Sequence, residues 1–203
     1  MAAGVIADVI AEAVAGAPVL LDGAWGTELL GRGLPRGRHP DLWNLESPAE
    51  VEAVARAYVD AGSRVILTNT FQTNRLALPD ADVPALAKAG AEISRRAAGT
   101  AVRVFGSVGP TNALLMRSDG DVGAVRDVFV EVALALAAGG VDAVVIETMS
   151  DLHEAIVAIE AVRSVGLPVV ASMTFDSGKQ RDRTMTGVRP GEAARRLADA
   201  GAD

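Results

Sequence analysis

The sequence predicts an α/β fold built on a parallel sheet, and three observations carry that expectation. Five short runs rich in Val, Ile or Leu, at 18–23, 64–71, 102–109, 142–149 and 168–175, are apolar on both alternating faces, the pattern of strands buried beneath helices. Segments of helical period separate them; Leu152, Ile156, Ile159 and Val162, for instance, fall on one face of the stretch that starts near Asp151. Each run ends in polar or small residues: Asp22 and Gly23, then Thr68, Asn69 and Thr70, then Ser107 and Gly109, then Glu147 and Thr148, then Thr174 and Asp176. An open, doubly wound sheet feeds its ligand from a few strand ends at one switch point, whereas a barrel gathers residues from many strands at its C-terminal face. Five polar ends therefore select a (β/α)8 barrel of the TIM type, incomplete, with about five strand-helix units.

The first segment, residues 1–19, is apolar but interrupted by Asp8 and Glu12, with no basic residue ahead of it, so it reads as a short helix rather than a secretory signal. After the run at 18–23, Ser47, Pro48 and Glu50 supply a capping serine, a proline at the first helical position and a glutamate three residues after the cap. Pro190 opens the last helix in the same way. The five units occupy 18–201, and Gly201-Ala202-Asp203 reads as the lead-in to a sixth strand. Since a complete barrel takes about 250 residues, residues 1–203 are expected to be the N-terminal portion of one barrel domain. Such a portion leaves a parallel edge unpaired on each side. The apolar residues Ile66, Val104, Val145 and Val170 are then expected along an open inner rim, favouring self-association or a barrel-completing chain.

Composition narrows the function. Nineteen basic against 26 acidic side chains give a formal charge of −7, which disfavours nucleic acid and anionic membranes as partners. No uncharged apolar run is long enough to span a bilayer, and a cytoplasmic location is expected. The absence of cysteine removes disulfides, thiol nucleophiles and thiolate metal sites. There is no HExxH zinc motif, GxSxG elbow, Walker loop or full GxGxxG, and His39 and His153, without motif partners, are expected at the surface.

Two carboxylates stand where strands open into loops. Asp22 precedes Gly23-Ala24-Trp25-Gly26, where small residues allow a ligand to approach backbone N–H groups; alternatively it only caps the turn. Glu147 ends an apolar strand, where a carboxylate is costly to desolvate unless paired; its partner is either a ligand ammonium group or an arginine such as Arg183. Thr68-Asn69-Thr70-Phe71-Gln72 concentrates hydrogen-bonding side chains at another strand end, and alternation sends only some of them to the mouth. Ser107-Val108-Gly109-Pro110 suits a close-approach loop, though its glycine is no phosphate signature.

Taken together, four segments resemble the homocysteine S-methyltransferase family, which includes the homocysteine domain of cobalamin-dependent methionine synthase and the betaine and S-methylmethionine enzymes. They are Leu21-Asp22-Gly23-Ala24-Trp25-Gly26-Thr27, Tyr58-Val59-Asp60-Ala61-Gly62 leading into Thr68-Asn69-Thr70-Phe71-Gln72, Gly106-Ser107-Val108-Gly109-Pro110, and Glu147-Thr148-Met149. The resemblance implies a (β/α)8 barrel that transfers a methyl group to the homocysteine thiol, giving methionine. It places Asp22 and Glu147 at the substrate ammonium, and backbone around Gly23, Ala24 and Trp25 at the carboxylate. Asn69 belongs to the same expected pocket, and Trp43 matches an aromatic that lines it in some members.

The departure is equally specific. Family members activate the thiol with zinc held by three cysteines, in Gly-x-Asn-Cys and Gly-Gly-Cys-Cys contexts, and this sequence contains neither. A free thiol has a pKa of about 8.5 and is mostly protonated at neutral pH, whereas metal coordination deprotonates it. The expected identity is thus the N-terminal part of a homocysteine S-methyltransferase, ending before the zinc ligands, with no catalytic or metal residue of its own and no zinc binding or methyl transfer alone. The donor is methylcobalamin, betaine or S-methylmethionine. Two rivals remain: a non-catalytic amino-acid-binding or barrel-completing subunit of a split enzyme, and an unrelated barrel enzyme using Asp22 and Glu147 as acid and base.

Overall fold

The computed structural model describes residues 3–15, 18–111 and 121–203. The helices are α1 (Ala3–Val14), α2 (Trp25–Gly31), α3 (Trp43–Glu46), α4 (Pro48–Asp60), α5 (Val83–Ala98), α6 (Val122–Ala138), α7 (Leu152–Ser164) and α8 (Pro190–Asp199). The strands are β1 (Val65–Leu67), β2 (Arg103–Val108), β3 (Ala143–Met149) and β4 (Val169–Met173), and a 3-10 turn spans Pro40–Leu42.

The sheet runs β1-β2-β3-β4, every neighbouring pair parallel and consecutive in sequence. This unreversed order is the wall of a barrel, since a doubly wound sheet reverses its strand order at the switch point. The run predicted at 18–23 joins the sheet only through a parallel bridge, Leu21 to Val65, flanked by the Arg64 N–H donating to the Leu20 carbonyl (2.8 Å) and the Asp22 N–H to the Val65 carbonyl (3.1 Å). With a partner on one side alone among the described residues, and Gly23 following, little ladder forms there. The run predicted at 64–71 also shortens to three residues, because beyond Leu67 the chain turns back on itself, with the Thr70 N–H donating to the Thr68 carbonyl (2.9 Å).

Side-chain alternation divides the sheet residues between two cores. Ile66, Val104, Val108, Val144, Ile146 and Val169 pack among α4 to α8. Val65, Phe105, Ala143 and Val145 face the other way, where Ile6 of α1 covers them, with Val9, Val19, Leu67 and Val170 partly buried beside them. Two expectations change here. Ile66 and Val104 belong to the helix-covered face and are fully buried, and Val145 is only 9% exposed because α1 lies across the inner face. Close contact between layers is set in part by Gly106, where a Cβ would stand 2.7 Å from Leu136 Cδ1 on α6.

Helix starts follow local chemistry unevenly. Asp82, Asp121 and Asp151 cap α5, α6 and α7 by accepting backbone N–H bonds. At α4 the expected capping box does not form: Pro48 occupies the first turn, but Ser47 makes no side-chain cap, and Glu50 pairs instead with Arg32 at 3.3 Å. Pro190 does open α8.

Candidate functional site

At the carboxyl ends of the strands lies a cavity of about 430 Å³, within the size range of small-molecule sites. It is lined by Gly23 to Gly26, by Pro40 and Asp41, by residues 67–72, and by Ser107 and Glu147. The structure therefore brings Gly23, Ala24, Trp25, Asn69 and Glu147 to one cavity, from segments that are far apart in the chain.

Asp22, the residue before this lining, does not itself line the cavity. Its Oδ2 accepts from the Leu67 N–H (2.7 Å) and from Trp25 Nε1 (2.8 Å), so it holds the first loop against the end of β1. Burial pushes its pKa up to about 6, the two donors oppose that rise, and the charge of Glu147 adds to it. The turn is tight as well: a Cβ on Gly23 would meet Tyr58 Oη at 3.0 Å, and that hydroxyl donates to the Ala24 carbonyl at 3.3 Å.

Glu147 is half-buried and accepts at Oε1 from the Ser107 hydroxyl at 2.5 Å. Arg183 is engaged elsewhere, with Asp182 at 3.8 Å and the Gly187 carbonyl at 3.4 Å, so the arginine alternative for Glu147 is not realised. The next residue, Thr148, has a φ of 61°, and the β3–β4 register shifts between Ile146 and Met149. A left-handed threonine costs of order 1–3 kcal/mol and is retained where surrounding structure imposes it. Here it forms a bulge at the point where Glu147 meets the cavity, a common device for re-aiming a side chain.

The loop after β1 is built from its own polar groups. Thr68 Oγ1 and Thr70 Oγ1 lie 2.6 Å apart; Thr68 Oγ1 accepts from the Ser107 N–H (2.9 Å), and Thr70 Oγ1 donates to the Ser107 carbonyl (2.7 Å). Asn69 donates through Nδ2 to the Pro40 carbonyl (2.9 Å) and to Asn44 Oδ1 (3.0 Å), which binds the loop to the 3-10 turn and to α3. Gly109 is required for contact: its N–H donates to the Phe71 carbonyl at 2.8 Å, and a Cβ would stand 2.5 Å from Phe71 Cε2 and 2.7 Å from that carbonyl oxygen.

Trp43 does not line the cavity. It packs with Leu29, Leu34, Val51, Val54 and Ile93, 9% exposed, because α3 turns its indole into this small core. The aromatic on the cavity wall is instead Trp25, with Phe71 beside it. Sequence reasoning also missed Asp41, which lines the cavity yet is only 3% exposed. Its Oδ2 accepts from the Gln72 N–H (2.9 Å) and Thr73 Oγ1 (2.8 Å), and burial raises its pKa. The available signal was a lone acid between Pro40 and an apolar pair, indistinguishable from a turn residue until residues 72 and 73 are seen to reach it.

A parallel barrel wall with a partly buried acidic cavity at its carboxyl end defines the class: a (β/α)-barrel protein. The chain belongs to the homocysteine S-methyltransferase family, whose model matches residues 19–203. It is 32% identical over 197 residues to methionine synthase of Mycobacterium tuberculosis, covering 83% of this chain and 16% of that protein. It is 30% identical over 167 residues to the rat S-methylmethionine–homocysteine S-methyltransferase BHMT2, covering 80% of this chain and 44% of the relative. The chain thus spans less than half the length of either relative. Among solved structures it resembles the homocysteine methyltransferase MmuM of Escherichia coli. The oxidised form matches with a TM-score of 0.72 at 25% identity, over 89% of this chain and 69% of the other. The metallated form matches in fold with a TM-score of 0.75 at 23% identity, over 93% and 73%.

The residues present do not fit a thiolate zinc centre. The chain has no cysteine, and among the described residues no group of three or more His, Asp or Glu is arranged to hold a metal. The groups that line the cavity are suited to binding and orienting a charged small molecule.

Proposed function

We propose that this chain supplies the amino-acid-holding half of a homocysteine methyl-transfer site. The observation that carries the reading is the meeting of Glu147 and the glycine-flanked backbone of residues 23–26 at one cavity, with Asp22 directly behind that backbone and near enough to Glu147 for its charge to raise the Asp22 pKa. A substrate ammonium group is held between the Asp22 and Glu147 carboxylates, where it relieves their mutual repulsion and replaces lost solvation. Backbone at Gly23 to Trp25 faces the substrate carboxylate, and Asn69 with Asp41 keeps the neighbouring wall in register. These groups bind and orient; none is placed to deprotonate a thiol or carry a methyl group.

The reading assigns these residues binding and orientation and no part of thiol activation, and the donor is methylcobalamin, betaine or S-methylmethionine. The lack of cysteine supports a second reading, an amino-acid-binding subunit without catalysis. Calorimetric titration of the purified chain with L-homocysteine and L-methionine tests the common element: saturable binding that Asp22→Asn and Glu147→Gln each weaken is expected. Binding untouched by either substitution overturns the ammonium assignment. Methionine formation with each donor in turn separates the two readings.

A further inference from the structure

We propose that Glu154 is a positioning residue for the cavity, setting the separation at which Ser107 faces Glu147. The proposal rests on the reading of that cavity as an amino-acid site.

Glu154 lies in the first turn of α7, three residues beyond the Asp151 cap, and is only 3% exposed. Its Oε1 accepts from both the Thr111 N–H (2.7 Å) and the Thr111 hydroxyl (2.5 Å). Four residues before Thr111, the Ser107 hydroxyl donates to Glu147. The segments 107–111 and 147–154 are therefore joined twice, once at the cavity and once behind it. Between the two links, the Gly109 N–H is tied to the Phe71 carbonyl, so the loop runs taut from the end of β2 to Thr111.

Packing alone does not account for a carboxylate at position 154. Burial penalises its charge, and Asp151 adds repulsion while keeping one buried oxygen, Oδ2, without a hydrogen-bond partner. An apolar residue would fill the site without that cost. What the carboxylate provides is a two-donor grip on the neighbouring loop. Glu147 needs such an outside reference because it immediately precedes the Thr148 bulge, where regular β3–β4 pairing lapses. The second link supplies it.

The test is a double-mutant cycle with L-methionine as the calorimetric probe, accompanied by amide hydrogen exchange. Glu154→Ala is expected to weaken binding roughly tenfold, with the loss vanishing on a Ser107→Ala background, because residues acting through one contact are not additive. Glu154→Gln, which keeps a carbonyl acceptor for Thr111, is expected to restore near-native affinity. Fully additive losses, or native affinity in Glu154→Ala, overturn the proposal. If Glu154→Ala does not fold, Thr111→Val takes its place in the same cycle with the same expectations. If the unaltered chain binds no amino acid, the pocket reading fails, and exchange alone decides: faster exchange at Gly109 and Thr111 in Glu154→Ala supports the clamp, and unchanged exchange refutes it.

Discussion

Asp22→Asn isolates one electrostatic peculiarity of the site. The aspartate carries a pKa raised from 3.8 to about 6, chiefly by burial, so the folded chain binds its proton more tightly than the unfolded chain does. The group's contribution to stability is therefore fully present below pH 3.8 and is lost as pH rises through about 6. A shift of that size is worth about 3 kcal/mol over the whole range, of which about 1.3 kcal/mol separates pH 7 from pH 5 and about 2 kcal/mol separates pH 7 from pH 4.5. Asparagine keeps an oxygen to accept from Leu67 and Trp25 but has no titration. Urea unfolding of both proteins between pH 4.5 and 7.5 should therefore show the parent gaining on the variant as pH falls, by roughly those amounts. Asp41 and Glu154, also raised by burial, act in the same direction in both proteins and cancel in the difference. A stability difference independent of pH would refute the claim that Asp22 is held at a desolvated, charge-coupled site.

Ligand binding should run the opposite way. If an ammonium group binds only the ionised form, affinity for L-methionine rises about tenfold from pH 5 to pH 7, and calorimetry on Asp22→Asn should show that slope removed. Gly109→Ala drives a methyl group into both the ring and the carbonyl of Phe71, so a loss of about 1–3 kcal/mol in urea unfolding is expected, with weaker binding at the cavity. Thr148→Gly relieves a left-handed backbone and should leave stability unchanged or raise it by about 1 kcal/mol, as thermal unfolding would report.

The fold was legible because buried parallel strands announce themselves by unbroken Val and Ile runs, and four of the five predicted runs contain the observed strands. The fifth, at 18–23, carries the same composition yet forms only one bridge, since a ladder depends on neighbours that composition does not reveal. Which face each residue takes was less legible: a run apolar on both sides has no alternation to read, so Ile66 and Val104, expected on the inner rim, point to the helices. The acids at strand ends were legible for a physical reason, namely that a carboxylate terminating an apolar strand must be paired, wetted or bound to something. Trp43, expected in the pocket, became core, and Asp41, on which the sequence reading was silent, became a cavity wall, because burial is decided by tertiary packing.

Holding a substrate and activating it make different electrostatic demands. An ammonium group needs fixed negative charge in a partly dry site, and on the proposed reading Asp22 and Glu147 provide it. A thiol of pKa about 8.5 is mostly protonated at neutral pH, and it becomes a good nucleophile only by losing that proton to a base or a Lewis acid. Nearby acids oppose the change, because a thiolate forming beside Asp22 and Glu147 adds a third negative charge to a cavity already strained by two. On the proposed reading, the substrate's ammonium group sets one positive charge against those two negative ones, so binding the amino group lowers the cost of a sulfur anion in the same cavity without cancelling it.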